Sequence, residues 1–116
     1  ISLVEEIYIP INEESAIEAT KSLQKKHPDI EAIFYFCDTM ALVGFAIIQE
    51  SNPKVAVVGY DDLTESRYAR LSTVRQPAFD MGFRGASDLL EFIKTGISVP
   101  KNVKIVPELI LRESSR

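Results

Sequence analysis

One hundred and sixteen residues fit a single domain by length, and 46% hydrophobic with 26% charged residues is close to the composition of an ordinary globular chain, which excludes a disordered, collagen-like or low-complexity polypeptide. The longest unbroken apolar run, Met40 to Ile48, would rise only about 14 Å as a helix against a bilayer core of roughly 30 Å, so no membrane span is expected. Thirteen basic and seventeen acidic residues give a net charge of −4 and no dense basic patch, which argues against direct contact with nucleic-acid phosphates.

Residues Ile1 to Ile11 alternate like a strand, with Leu3, Ile7 and Ile9 on one side, and Pro10 and Asn12 end it. Two glutamates and no basic cluster in Ile1–Ile7 speak against a signal peptide, and a chain opening on isoleucine is expected to be a fragment. Asn12 is a good N-cap for a helix running to about Lys26, with Ala16, Ala19, Thr20 and Leu23 as its buried stripe and Pro28 as its stop. Lys25, Lys26 and His27, the longest basic cluster, sit where cations complement the helix dipole. Ala32–Cys37 predicts a strand buried on both faces, as in a parallel sheet. Asp38 then caps a helix to about Glu50 that is apolar on every side and must be covered on both faces.

Lys54–Tyr60 predicts a second apolar strand with Asp61 and Asp62 at its carboxyl end. Leu63–Arg70 reads as a loop with a helical turn, and Leu71–Arg75 as a short extended piece. Pro77 suits the first turn of a long helix ending at Lys94 and Gly96, with Phe79, Gly82, Phe83, Ala86, Leu90 and Ile93 as its stripe. Val103–Leu111 predicts a last strand, interrupted at Pro107 and therefore at an edge or crossover. Strands alternating with helices predict an α/β three-layer sandwich with a mainly parallel sheet.

Open parallel sheets bind ligands at the carboxyl ends of their strands. Three points lie there: Ile11-Asn12, Cys37-Asp38 and Tyr60-Asp61-Asp62. Asn12 and Asp38 are expected to act chiefly as helix caps. Asp61 and Asp62 are adjacent, so on an extended chain they would point to opposite faces rather than form an acid/base pair. One cysteine and one histidine exclude an internal disulfide and a four-ligand zinc site, and neither metal nor cofactor is expected. Cys37 precedes a helix N-terminus, yet His27 lies at the far end of another helix, so no catalytic pair forms and no catalytic residue is assigned. A small α/β enzyme and a receiver-like domain are rival readings without a nucleophile–base pair or an acidic cluster to support them.

Four ordered motifs then become recognisable. The run from Ala32 to Leu42, AIFYFCDTMAL, resembles the "AIF..ND.MALG" signature of the LacI/GalR family of transcription regulators. Val57–Asp62 matches its "VVGYDD", Ser72–Pro77 followed by Met81-Gly82 is similar to "TTVRQP" and "MG", and Pro107–Ser115 is similar to "PELIVRESS".

That resemblance implies a fold of the periplasmic-binding-protein type I kind: two α/β lobes joined by a hinge, with a small effector, a sugar or sugar derivative, in the cleft. Residues 1–116 would be the carboxyl-terminal part of the effector-binding and dimerisation domain, with 76–102 crossing to the other lobe. The helix-turn-helix head, the route to DNA, would lie outside the chain. It also implies a cytoplasmic homodimer. Asp61 stands where the family contacts effector polar groups, Gln76 at the hinge near the ligand, and Cys37 where the family usually has a ligand-contacting asparagine; Ile11 completes the candidate ligand-binding set. Met40, Val43, Phe45, Ile47 and Tyr68 are the candidate dimer interface. Cysteine in place of asparagine removes an amide that both donates and accepts, which points to an atypical effector. A solute-binding receptor of a sugar transporter shares the fold and is the alternative, with "VRQP" and "RESS" favouring the regulator.

Overall fold

The computed structural model describes residues 2–97 and 102–116. In chain order the elements are α1 (Glu13–Lys26), β1 (Ala32–Phe34), α2 (Asp38–Ser51), β2 (Ala56–Tyr60), α3 (Thr64–Tyr68), β3 (Ser72–Arg75), α4 (Ala78–Thr95) and β4 (Glu108–Ile110), followed by a 3₁₀ turn at Glu113–Ser115. The four strands lie in sequence order; β1, β2 and β3 are parallel, and β4 joins β3 antiparallel at the edge. The sheet is therefore mainly parallel, as the alternation of strands and helices requires.

The expected first strand does not form. Residues 2–11 carry no strand pairing and are tied down by side chains instead: Glu5 accepts hydrogen bonds from Lys26 Nζ (2.6 Å) and pairs with His27 Nε2 (2.7 Å) at the end of α1. Its alternation is real, but a strand needs a neighbour for its backbone groups, and Leu3 and Tyr8 remain exposed. α1 starts as its sequence demands, with Asn12 Oδ1 accepting from Ser15 N at 2.8 Å and Glu13 and Glu14 in the first turn. It buries Ala16 and Thr20 and packs against α2, which in turn packs on β2.

The core lies between α1, α2 and one face of the sheet, where Ala16, Met40, Ala41 and Ile48 meet Ile33, Tyr35, Val55, Val57 and Leu71. Tyr35 Oη reaches Thr20 Oγ1 at 2.7 Å. Gly44 makes room for it, because a Cβ there would sit 2.0 Å from that hydroxyl oxygen. The other face differs from expectation: Phe34 and Phe36 are 61% and 52% exposed, so β1 is buried on one side only.

α4 ends at Gly96 in the left-handed conformation (φ 69°), as a glycine C-cap does. Pro77 precedes its first residue rather than standing within the first turn. None of its residues is buried; Phe83 is 66% and Leu90 55% exposed. The chain is accordingly elongated, with extents of 58 × 28 × 27 Å and a radius of gyration of 18.1 Å, against about 13 Å for a compact domain of this length. Of the expected crossing 76–102, residues 98–101 lie outside the described residues. The last strand is shorter than expected and begins after Pro107, which has no N–H to give a ladder.

Candidate functional site

Because β1, β2 and β3 run parallel in register, with Phe34 opposite Val58 and Tyr60 opposite Val74, their carboxyl ends share one edge. Cys37, Asp61 and Gln76 each follow one of these strands and so come to that edge together. Asp61 and Gln76 touch: Gln76 Nε2 donates to Asp61 Oδ1 at 2.6 Å, and both residues are half-buried. Cys37 is half-buried at the start of α2 and makes no side-chain capping bond, its carbonyl accepting from Ala41 N. Ile11 precedes α1, is 69% exposed, and no strand carries it to the edge.

Asp38 is not a cap. It is the first residue of α2, fully buried, and its carboxylate is the joint of three elements. Oδ2 accepts from Leu63 N (2.9 Å) and Ser66 Oγ (2.6 Å), and Oδ1 from Thr73 Oγ1 (2.6 Å). Three bonds satisfy a carboxylate that burial would otherwise penalise heavily. Sequence reasoning preferred the cap because aspartate before an apolar helix is a common start signal; the hydroxyls of Ser66 and Thr73, polar side chains beside apolar ones, were the only hint of a buried acceptor.

Asp61 and Asp62 are not extended but both take positive φ (118° and 56°), uncommon for residues with a Cβ. The expectation from an extended chain therefore does not apply, but the two carboxylates have separate partners and form no acid/base pair. The side chain of Asp62 is only 5% exposed and accepts from Arg75 Nε (2.7 Å) and Arg112 Nη2 (2.5 Å). Burial pushes its carboxyl upward, but the hydrogen bonds from Arg112 and Arg75 outweigh that and hold it below the ordinary aspartate value. Arg75 and Arg112 were not foreseen as partners, since nothing in their spacing from Asp62 shows that β3 and the chain end fold back on the same loop.

On α2, Met40 is 1% exposed and belongs to the core, so its side chain does not reach the surface assigned to it; its position in the helical period faces the sheet. Val43, Phe45 and Ile47 are half-buried, and Tyr68 on α3 is 82% exposed. His27 is engaged with Glu5 rather than with Cys37. Among the described residues, no group of three or more His, Cys, Asp and Glu side chains could hold a metal ion, and no helix is long and apolar enough to cross a membrane.

Residues 3–115 match the model of a periplasmic binding protein-like domain. The chain belongs to that family. It is 32% identical over 107 residues to the HTH-type transcriptional regulator CelR of Thermobifida fusca, an alignment covering 87% of this chain and 32% of CelR. It is likewise 32% identical over 111 residues to the transcriptional repressor PurR of Actinobacillus pleuropneumoniae, covering 89% of this chain and 33% of that one. The chain thus spans about one third of the length of these curated relatives. Among solved structures, the complex of CelR with cellobiose superposes with a TM-score of 0.80 at 30% identity, covering 93% of this chain and 35% of that one. A LacI family transcriptional regulator from Bifidobacterium animalis subsp. lactis superposes with a TM-score of 0.86 at 25% identity, covering 94% and 42%. The chain is therefore a part of an effector-binding domain of the LacI/GalR regulator type, with its α/β three-layer architecture, and these relatives are named as regulators and repressors rather than enzymes.

Proposed function

We propose that this chain is the carboxyl-terminal part of a domain that senses a small polyhydroxylated molecule, sugar-like in character, in a homodimeric DNA-binding regulator of the cytoplasm. The observation that carries the reading is the meeting of Asp61 and Gln76 at the carboxyl edge of a parallel sheet, the place where such folds hold ligands. A carboxylate accepts two hydroxyl hydrogens, and a neighbouring amide both donates and accepts, which together suit adjacent sugar hydroxyls. Asp62 is not available for that task, because its charge is taken up by arginines; that leaves the Asp61 carboxylate, steadied at Oδ1 by Gln76 Nε2. Cys37 at the same edge offers a small, weakly polar wall. CelR, a relative, is seen in complex with cellobiose, which supports a saccharide here.

The second lobe, in this reading, covers α4, whose stripe from Phe79 to Ile93 is exposed, and residues 76–102 cross to it. Burying one such large side chain stabilises by roughly 1.5–3 kcal/mol, so a stripe of this size calls for a cover. Val43, Phe45 and Ile47 on α2, with Tyr68 on α3, face the partner subunit. DNA is reached through a helix-turn-helix head elsewhere in the protein. A thermal-shift screen of the intact protein against mono- and disaccharides tests the ligand class: stabilisation by a saccharide supports it, and stabilisation by nucleobases or amino acids alone overturns it.

A further inference from the structure

The loop joining β2 to α3 is pinned by three consecutive backbone N–H groups. Asp61 N donates to Val74 O (2.9 Å), Asp62 N to Thr73 Oγ1 (3.3 Å) and Leu63 N to Asp38 Oδ2 (2.9 Å). These bonds tie the loop to β3 and to the start of α2. They do not repay two successive non-glycine residues at φ 118° and 56°, a conformation that persists only where the surroundings over-determine it. Beside them, the side chain of Asp62 is 5% exposed and lies between two guanidinium groups.

The two arginines are not equivalent. Arg75 is 43% exposed and shares itself with Glu108 (3.1 Å). Arg112 is only 14% exposed and is held at both ends before it reaches the loop. Its backbone N donates to Ser72 Oγ at 2.7 Å, and its Nη1 donates to Leu71 O at 2.7 Å. A guanidinium fixed in this way loses little freedom when Nη2 meets Asp62 Oδ1 at 2.5 Å.

We propose that Arg112, from the segment after β4, is a positioning residue for the ligand site: through Asp62 it holds the loop in its left-handed path and so aims the Asp61 carboxylate at Gln76 and the sheet edge. Without it, the loop relaxes towards negative φ and the Cα–Cβ bond of Asp61 swings away from the edge. This rests on the reading of Asp61 as a ligand contact and adds the group that aims it.

The test uses hydrogen exchange on the intact protein, with no ligand needed. In Arg112→Gln the amides of Asp61, Asp62 and Leu63 should exchange about ten- to a hundredfold faster, the loss of one hydrogen bond to a charged group, while α1 and β1 keep their protection. Arg112→Lys, which keeps the charge, should restore part of the protection. Arg70→Gln, which breaks the exposed pair with Glu113 in the same segment, should leave the loop unchanged. A crystal structure of Arg112→Gln should show Gln76 Nε2 and Asp61 Oδ1 parted beyond hydrogen-bond distance. Unchanged exchange at 61–63, or protection lost equally throughout the fold in both Arg112 variants, would overturn the proposal. Failure of Asp61 to bind a ligand would leave these exchange results untouched, so the two failures are told apart.

Discussion

Replacing Asp38 by alanine removes the acceptor that joins α2, α3 and β3. Three donors lose their partner: Leu63 N, Ser66 Oγ and Thr73 Oγ1. Leu63 is exposed and its amide can turn to water, but Ser66 and Thr73 are fully buried and their hydroxyls cannot. Each orphaned buried donor costs about 1–3 kcal/mol, and relief of the buried carboxylate offsets part of the sum. The net expectation is about 2–4 kcal/mol, the two orphaned hydroxyls less that relief. Asp38→Asn should cost only about 1–2 kcal/mol, because its oxygen still serves Leu63 and Ser66 and only the Thr73 hydroxyl loses an acceptor. Urea unfolding of the intact protein, followed at pH 7 by circular dichroism, reads both. A loss below about 1 kcal/mol in Asp38→Ala, or equal losses in the two variants, would refute the account of Asp38 as the joint.

Gly59→Ala should destabilise by about 1–3 kcal/mol or more, since a Cβ there meets Asp38 Oδ1 at 2.2 Å and Ala41 Cβ at 3.0 Å; the same urea series measures it, and a neutral change would show that α2 is not tightly seated on β2. Asp62 predicts a direction in pH: its folded-state carboxyl is lowered, so the stability it contributes is present above the ordinary carboxyl value and is lost as pH falls through the lowered one. The stability gap between the native protein and Asp62→Asn should therefore be widest near neutrality and close in acid, and a gap that is constant from pH 7 to the acid limb would contradict it. Tyr35→Phe should cost only about 0.5–1.5 kcal/mol despite deep burial, because Thr20 Oγ1 keeps its bond to Ala16 O (2.7 Å); thermal melting of the pair Tyr35→Phe and Thr20→Ala should show the second to be no milder than the first.

Local signals predicted the frame. Asn12, Pro28 and Gly96 mark helix ends by their own backbone preferences, and each helix lies close to where those residues put it. The parallel sheet followed from apolar strands alternating with helices. Failures came wherever a partner distant in sequence decides the outcome. Residues 2–11 alternate like a strand but find no neighbour, and Phe34 is strand-like yet uncovered on one face. At the site, the position of Asp61 at a strand end was legible; its bond to Gln76, fifteen residues on, was not. The pairing of Asp62 with Arg112 spans fifty residues and depends on the final segment folding back beneath β3. Asp38 was misread because a cap and a buried joint use the same residue type, and only the fold brings Ser66 and Thr73 to it.

The central claim is that Asp61 binds the effector at the carboxyl edge of the sheet. Calorimetric titration of the intact protein and of Asp61→Ala with the saccharide that gives the largest thermal shift tests it most directly, cellobiose and ribose being included in that set. The account predicts that Asp61→Ala weakens binding by about 1.5–3 kcal/mol, the usual size of a hydrogen bond to a charged group, with the melting temperature of the unliganded protein little changed. Equal affinity in the two proteins would contradict it.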